Sequence, residues 1–203
     1  MATQLFPLYV LFSNDSESSD IDLALSTTRG SGMSERATNT VLGPTSGVQV
    51  KDGATPASWW YRVNAVTISG AITKNFWMSE SNMAANVGAQ VIIDRCDGSG
   101  AFISTVQDSE KGTELPVTTA TAQNWNTGTV TSTTFADGDY IRVRVYGNDV
   151  GTMASGHTFN FGFGGPTAGS AGDSYVTFTE TITAYTPATD KPYRHPFIQL
   201  LSH

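Results

Sequence analysis

The sequence holds three histidines, His157, His195 and His203, and one cysteine, Cys96. Histidine suits proton transfer near neutral pH and metal ligation. None of the three has the spacing of a motif such as His-Glu-x-x-His, and Cys96 has no companion for a Cys/His cluster. A Ser-His-Asp triad assembles in space, so a triad through His157 stays open as a reading. No Gly-x-Ser-x-Gly elbow marks a nucleophile among the many serines. The expectation is therefore no catalytic, cofactor-binding or metal-ligating residue, and a chain that is not an enzyme. Cys96 lies in a strand-like run without a cation-rich neighbourhood and reads as a small buried hydrophobe.

Carboxylates are the next candidates. Asp15, Glu17, Asp20 and Asp22 can offer oxygen ligands to calcium. The turns "DGSG" (97–100) and "DGD" (137–139) are superficially similar to calcium loops. Neither matches the Asp-x-Asp/Asn-x-Asp/Asn-Gly spacing with its distant Glu. The favoured reading is that these aspartates start turns through side-chain to backbone hydrogen bonds.

Arginines and aromatics make the third group. In "FADGDYIRVRVYGND" (135–149), Ile141, Val143 and Val145 share one face of an alternating strand. Tyr140, Arg142, Arg144 and Tyr146 share the other. The first face belongs in a core. The second is rich in the residue types enriched at protein contacts. Arginine pairs bidentately with carboxylates, and the acidic stretch 13–22 of a neighbouring copy would supply them. A merely solvated outer face is the plainer alternative, since alternation demands only a polar exterior. Trp59 and Trp60 are adjacent, so one is expected in the core and the other outside or under an arm.

The elements that must position these residues are strands. Ser and Thr make up about a quarter of the chain, and charged residues only 14%, with 20 Gly marking turns. Strand-like runs fall near 59–69, 72–79, 87–95, 101–107, 122–133, 139–146, 157–163 and 174–184. No segment longer than ten residues has a clear 3.6 period. This predicts an all-β, antiparallel sandwich of jelly-roll type over residues 58–185. Residues 1–57 are expected to form a mostly extended N-terminal arm. Residues 186–203 are expected to form a Pro-rich C-terminal tail.

Each end carries an apolar tip: Leu5, Phe6, Leu8, Tyr9 and Phe12 at one, and Tyr193, Phe197, Ile198, Leu200 and Leu201 at the other. Exposed tips of this kind call for a covering partner, or for packing on their own sandwich. The N-terminal apolar run is too short to span a bilayer and lacks preceding cations, so neither a signal peptide nor a membrane role is expected. A net charge of −7 and a pI near 4.7 argue against nucleic acid and anionic membrane as partners.

The stretches "FWMSESNMAANVGAQVIIDRCDGSGAFISTV" and "TTFADGDYIRVRVYGNDVGTMASGHTFNFGFGGPTAGSAGDSYVTFTETI" resemble jelly-roll modules in virion structural proteins of tailed bacteriophages. The resemblance spans roughly residues 65–183 and is one of pattern, without catalytic motifs. It implies a head decoration, minor capsid or minor tail protein, made in the host cytoplasm and housed in the virion. It also implies partners that are copies of the chain and other virion proteins. The rival expectation is a carbohydrate-binding module whose exposed Trp or Tyr stacks a cell-surface glycan.

Overall fold

The computed structural model describes residues 4–7, 21–24, 36–42, 47–52, 55–163 and 173–187. In chain order the strands are β1 (Gln4–Pro7), β2 (Ile21–Ala24), β3 (Arg36–Val41), β4 (Val48–Gln49), β5 (Lys51–Asp52), β6 (Thr55–Arg62), β7 (Val66–Ile68), β8 (Ile72–Glu80), β9 (Val87–Cys96), β10 (Phe102–Glu110), β11 (Thr121–Trp125), β12 (Thr133–Phe135), β13 (Tyr140–Asp149), β14 (Thr158–Phe163) and β15 (Tyr175–Phe178). They build two main sheets. One runs β1-β15-β8-β14-β3, with β11 also paired to β8; the other runs β10-β9-β13-β6-β2, with β4 on β13 and β5 on β6. A short ribbon joins β7 and β12. The strand pairs are antiparallel apart from β2, which lies parallel to β6. The chain is an all-β antiparallel sandwich.

Alternation explains why the sheets stack. On β13, Ile141, Val143 and Val145 are fully buried, while Tyr140, Arg142, Arg144 and Tyr146 alternate with them at intermediate exposure. On β8 the inward residues are Ile72, Lys74, Phe76, Met78 and Glu80. Across the sheets, Trp59 of β6 meets Phe161 and Phe163 of β14 edge-on, with centroids 5.3 and 5.6 Å apart. Phe161 also meets Phe76 at 5.5 Å, and Phe76 meets Trp125 at the same distance. Each such buried ring stabilises the fold by roughly 2–3 kcal/mol through area removed from water, with the ring geometry adding to that.

Two predicted runs are split. The run 59–69 becomes β6 and β7, because Val63 bridges to Ala184 and the Ala65 N–H is taken by Asp137 Oδ1 at 2.6 Å. The run 122–133 becomes β11 and β12. Between them Gly128 sits at φ +95°, a left-handed backbone that glycine adopts freely. The sheets also recruit strands from before residue 58. The β3 strand pairs along its whole length with β14, and β2 lies beside β6. Thr, Val and Ala in these short stretches suit a sheet edge, but the strand signal there lacks the length that makes periodicity readable.

Candidate binding face

The outer face of the β10-β9-β13-β6 sheet is assembled by register. Arg142 lies level with Trp60 on one side and Asp94 on the other. Asp94 in turn lies level with Thr105. One step along, Tyr140 sits between Arg62 and Cys96, and Arg144 sits between Ser58 and Ile92. Strands two residues apart on one face bring these side chains into contact.

Asp94 organises this face. It is fully buried, and its Oδ2 accepts from Arg142 Nε at 3.1 Å, Arg142 Nη2 at 2.8 Å and Arg144 Nε at 3.0 Å. Arg144 Nη2 approaches the same oxygen to 2.8 Å. Thr105 Oγ1 donates to Oδ1 at 3.0 Å. A carboxylate buried this completely needs such partners, since an unpaired buried charge is strongly disfavoured. Burial pulls the Arg144 guanidinium down, but the Asp94 charge and the Tyr146 hydroxyl outweigh it, so the group is held above its ordinary value.

The arginines are layered with rings. The Arg142 guanidinium lies over Trp60 at 5.2 Å and near Phe102 at 6.0 Å. Trp60 meets Tyr140 edge-on at 5.9 Å. The Arg62 guanidinium lies 4.3 Å from the Tyr185 ring and 5.5 Å from Tyr140. Its Nε donates to the Gly138 carbonyl at 2.9 Å. Gly138, at φ +88°, leaves room for this; a Cβ there would come within 3.2 Å of Arg62 Nη2. Arg144 Nη1 donates to Tyr146 Oη at 2.6 Å. Beside this lattice Phe102 is 57% exposed and Ile103 43% exposed.

The structure thus brings Tyr140, Arg142, Arg144 and Tyr146 together on one face as the alternation predicted. It changes the source of the carboxylate. Asp94 of the same chain already holds both arginines, so the acidic stretch is not needed to neutralise them. The signal in the sequence was Asp94 itself, a charge in the apolar run Val91–Ile93, but only strand register shows which cations it meets. Arg62 and Phe102 also escaped the sequence reading.

The other predicted residues fall as follows. Leu5 and Phe6 lie on β1, whose backbone pairs with β15 of the same chain. The N-terminal tip therefore joins its own sheet, at least over Gln4–Pro7. Leu8, Tyr9, Phe12, Tyr193, Phe197, Ile198, Leu200 and Leu201 lie outside the described residues, as do Asp15, Glu17, Asp20, His195 and His203. Trp59 is in the core and Trp60 on the outer face. Cys96 is fully buried, and burial pushes its thiol up to about 11. Asp97 Oδ1 accepts from the Ser99 hydroxyl and from the Ser99 and Ala101 N–H groups, which holds its carboxyl below the usual range. Asp139 Oδ2 accepts from the Ala136 N–H and pairs with Arg95 at 2.7 Å. Both aspartates are turn builders. Among the described residues, no group of three or more His, Cys, Asp or Glu is placed to hold a metal ion. At the head of β14, the His157 carbonyl accepts from the Leu42 N–H.

Two ionisable groups point into the sandwich, which the sequence did not announce. Lys74 is fully buried, donates to the Ile72 and Thr127 carbonyls at 3.2 and 3.1 Å, and is lowered to about 8 by burial. Glu80 is also fully buried. Its Oε2 accepts from the Val87 N–H at 3.1 Å, while Oε1 has no hydrogen-bond donor. Burial, with the adjacent Glu114 carboxyl, raises it to about 7. We read Glu80 and Glu114 as sharing a proton, because two bare carboxylates have no hydrogen to place between them.

Neither a protein-family model nor a curated protein sequence matches this chain. Among solved structures, the chain is similar to a CocE/NonD family hydrolase from Staphylococcus aureus. One structure of that hydrolase gives a TM-score of 0.55 at 13% identity, over 87% of this chain and 36% of the hydrolase. A second gives 0.54 at 12%, over 89% and 37%. The chain thus spans about a third of the hydrolase's length. This likeness is one of fold, shared with a portion of a larger enzyme. The infectious bursal disease virus VP2 subviral particle matches with a TM-score of 0.28 at 10% identity, over 88% of this chain and 43% of that one. That score is too low to argue a shared fold.

Proposed function

We propose that the chain is a non-enzymatic structural protein of a bacteriophage virion. It acts as a head decoration, minor capsid or minor tail protein that binds other protein chains through the outer face of its jelly-roll sandwich. The observation carrying this reading is the guanidinium and aromatic lattice held rigid by buried Asp94. Pre-set Arg, Trp and Tyr side chains beside the exposed Phe102 match the composition of interface hot spots. Fixing them before binding removes part of the ordering entropy that association costs. The fold shared with a portion of a hydrolase brings no activity with it, since function lives in sites rather than folds.

A carbohydrate-binding role is the weaker reading. The Trp60 ring is layered with the Arg142 guanidinium rather than standing open for a sugar. The test is the solution mass of the full-length chain by light scattering, alongside a Phe102→Ser, Ile103→Ser variant. The wild type is expected to form a defined oligomer that this variant loses. An identical mass for the two proteins at every concentration refutes the role given to this face.

A further inference from the structure

Three guanidinia, Arg62, Arg142 and Arg144, lie on the outer face against a single carboxylate. Asp94 is used up by the hydrogen bonds already described. The face therefore carries excess positive charge on a chain whose net charge is −7. It also keeps donors in reserve. Arg142 spends Nε and Nη2 on Asp94, and Arg62 spends Nε on the Gly138 carbonyl. Arg142 Nη1 and both terminal nitrogens of Arg62 make no hydrogen bond among the described residues. Arg62 is exposed, as are Phe102 and Ile103 beside it. Such a patch suits an extended acidic segment: guanidinium edges for carboxylates, and apolar rings for the segment's backbone and β-carbons.

The sequence contains one segment of that kind. "SNDSESSDID" (13–22) holds Asp15, Glu17, Asp20 and Asp22, and no Lys or Arg precedes Arg29. Its exit from the fold is set by β2. Ile21 lies level with Ala57 and Ala24 level with Trp60, running parallel to β6. Walking backward from Ile21 leads away from Trp60 and Arg62, past the opposite end of β6. A run that continues outward in this direction leaves its own patch behind and is presented to another molecule.

Resting on the reading of this face as an assembly surface, we propose that its occupant is the acidic run 13–22 of a second copy of this chain. Copies would then join head to tail, which is a heterologous contact that closes into a ring or extends as an array.

The experiment is sedimentation of the full chain at low and high salt. Three proteins are compared: the wild type, an Asp15→Asn, Glu17→Gln, Asp20→Asn variant, and an Arg62→Gln, Phe102→Ser variant. A labelled peptide of residues 13–22 is titrated onto each by fluorescence anisotropy. Salt should weaken wild-type association, because exposed charges are screened. Each variant should weaken it about tenfold or more, as several modest ion pairs lost together would. The peptide should bind the wild type and the variant with the neutralised run, but not the Arg62/Phe102 variant. If neutralising the run leaves association unchanged while the Arg62/Phe102 variant abolishes it, the acidic run is not the occupant and the face still serves assembly. If the wild type is monomeric at every salt and concentration, both readings fall.

Discussion

Replacing Asp94 by Asn tests whether a single buried carboxylate holds the outer face in shape. The substitution is nearly isosteric and keeps an oxygen for Thr105 Oγ1. It puts an amide, a donor, where the arginine donors now converge on Oδ2. Removing one partner of a fully buried ion pair costs about 3–5 kcal/mol. Here the cations are not fully buried: the Arg142 and Arg144 side chains are 17% and 22% exposed, against 0% for Asp94. They can turn partly to water, so the cost falls to about 2–3 kcal/mol. With a urea m-value of about 2 kcal/mol/M for a chain of this size, the midpoint should drop by about 1–1.5 M. Urea unfolding followed by tryptophan fluorescence reads this directly. Trp60 lies against Arg142, so its emission should also shift in the folded variant. A midpoint loss below about 0.5 M with unchanged emission would show that Asp94 is not the organiser and that cross-strand pairing alone sets the arginines.

Two further outcomes concern the buried ionisable groups. Glu80 has a folded pKa of about 7, above its ordinary 4.5, so folding takes up a proton. Its contribution is complete below pH 4.5 and is lost as the pH rises through about 7. The loss is at most about 3 kcal/mol and is shared with Glu114. From pH 5 to pH 8 the wild type should lose urea stability relative to Glu80→Gln; parallel curves would rule out the shared proton. Lys74 runs the other way, with a folded pKa of about 8 against 10.5. Its stabilising share is present above pH 10.5 and lost as the pH falls through 8, so wild type should gain on Lys74→Met between pH 7 and pH 10. A constant difference across that range would mean the ammonium is not held out of water.

Much of the architecture was legible because its carriers are local. The alternation in Tyr140–Tyr146 separates core from exterior without knowledge of any neighbour, and the observed burial of β13 follows it residue by residue. The opposite fates of Trp59 and Trp60 follow from strand geometry alone. The turns at Asp97 and Asp139 were readable because Asp bonds to backbone within a few residues. Strand ends were less legible. The splits at Val63 and Gly128 depend on Ala184, Asp137, Lys74 and Ser109, residues distant in sequence. The short strands before residue 58 have too few positions for a period to show.

By itself the sequence determined the fold class, the inward and outward faces of the long strands, and the residue types on the outer face. These depend on side-chain period and turn chemistry, which act over a few residues. Only the tertiary structure decided what those residues do to one another. Asp94 and Arg142 are 48 residues apart in the chain and meet because β9 and β13 pair in one register. A slip of one residue would send Asp94 into the core and leave both arginines without their carboxylate. Lys74 and Glu80 show the same dependence. Their inward direction was implicit in the β8 alternation, but their shifted protonation required the sheet packed over them, because desolvation is a property of the assembled interior.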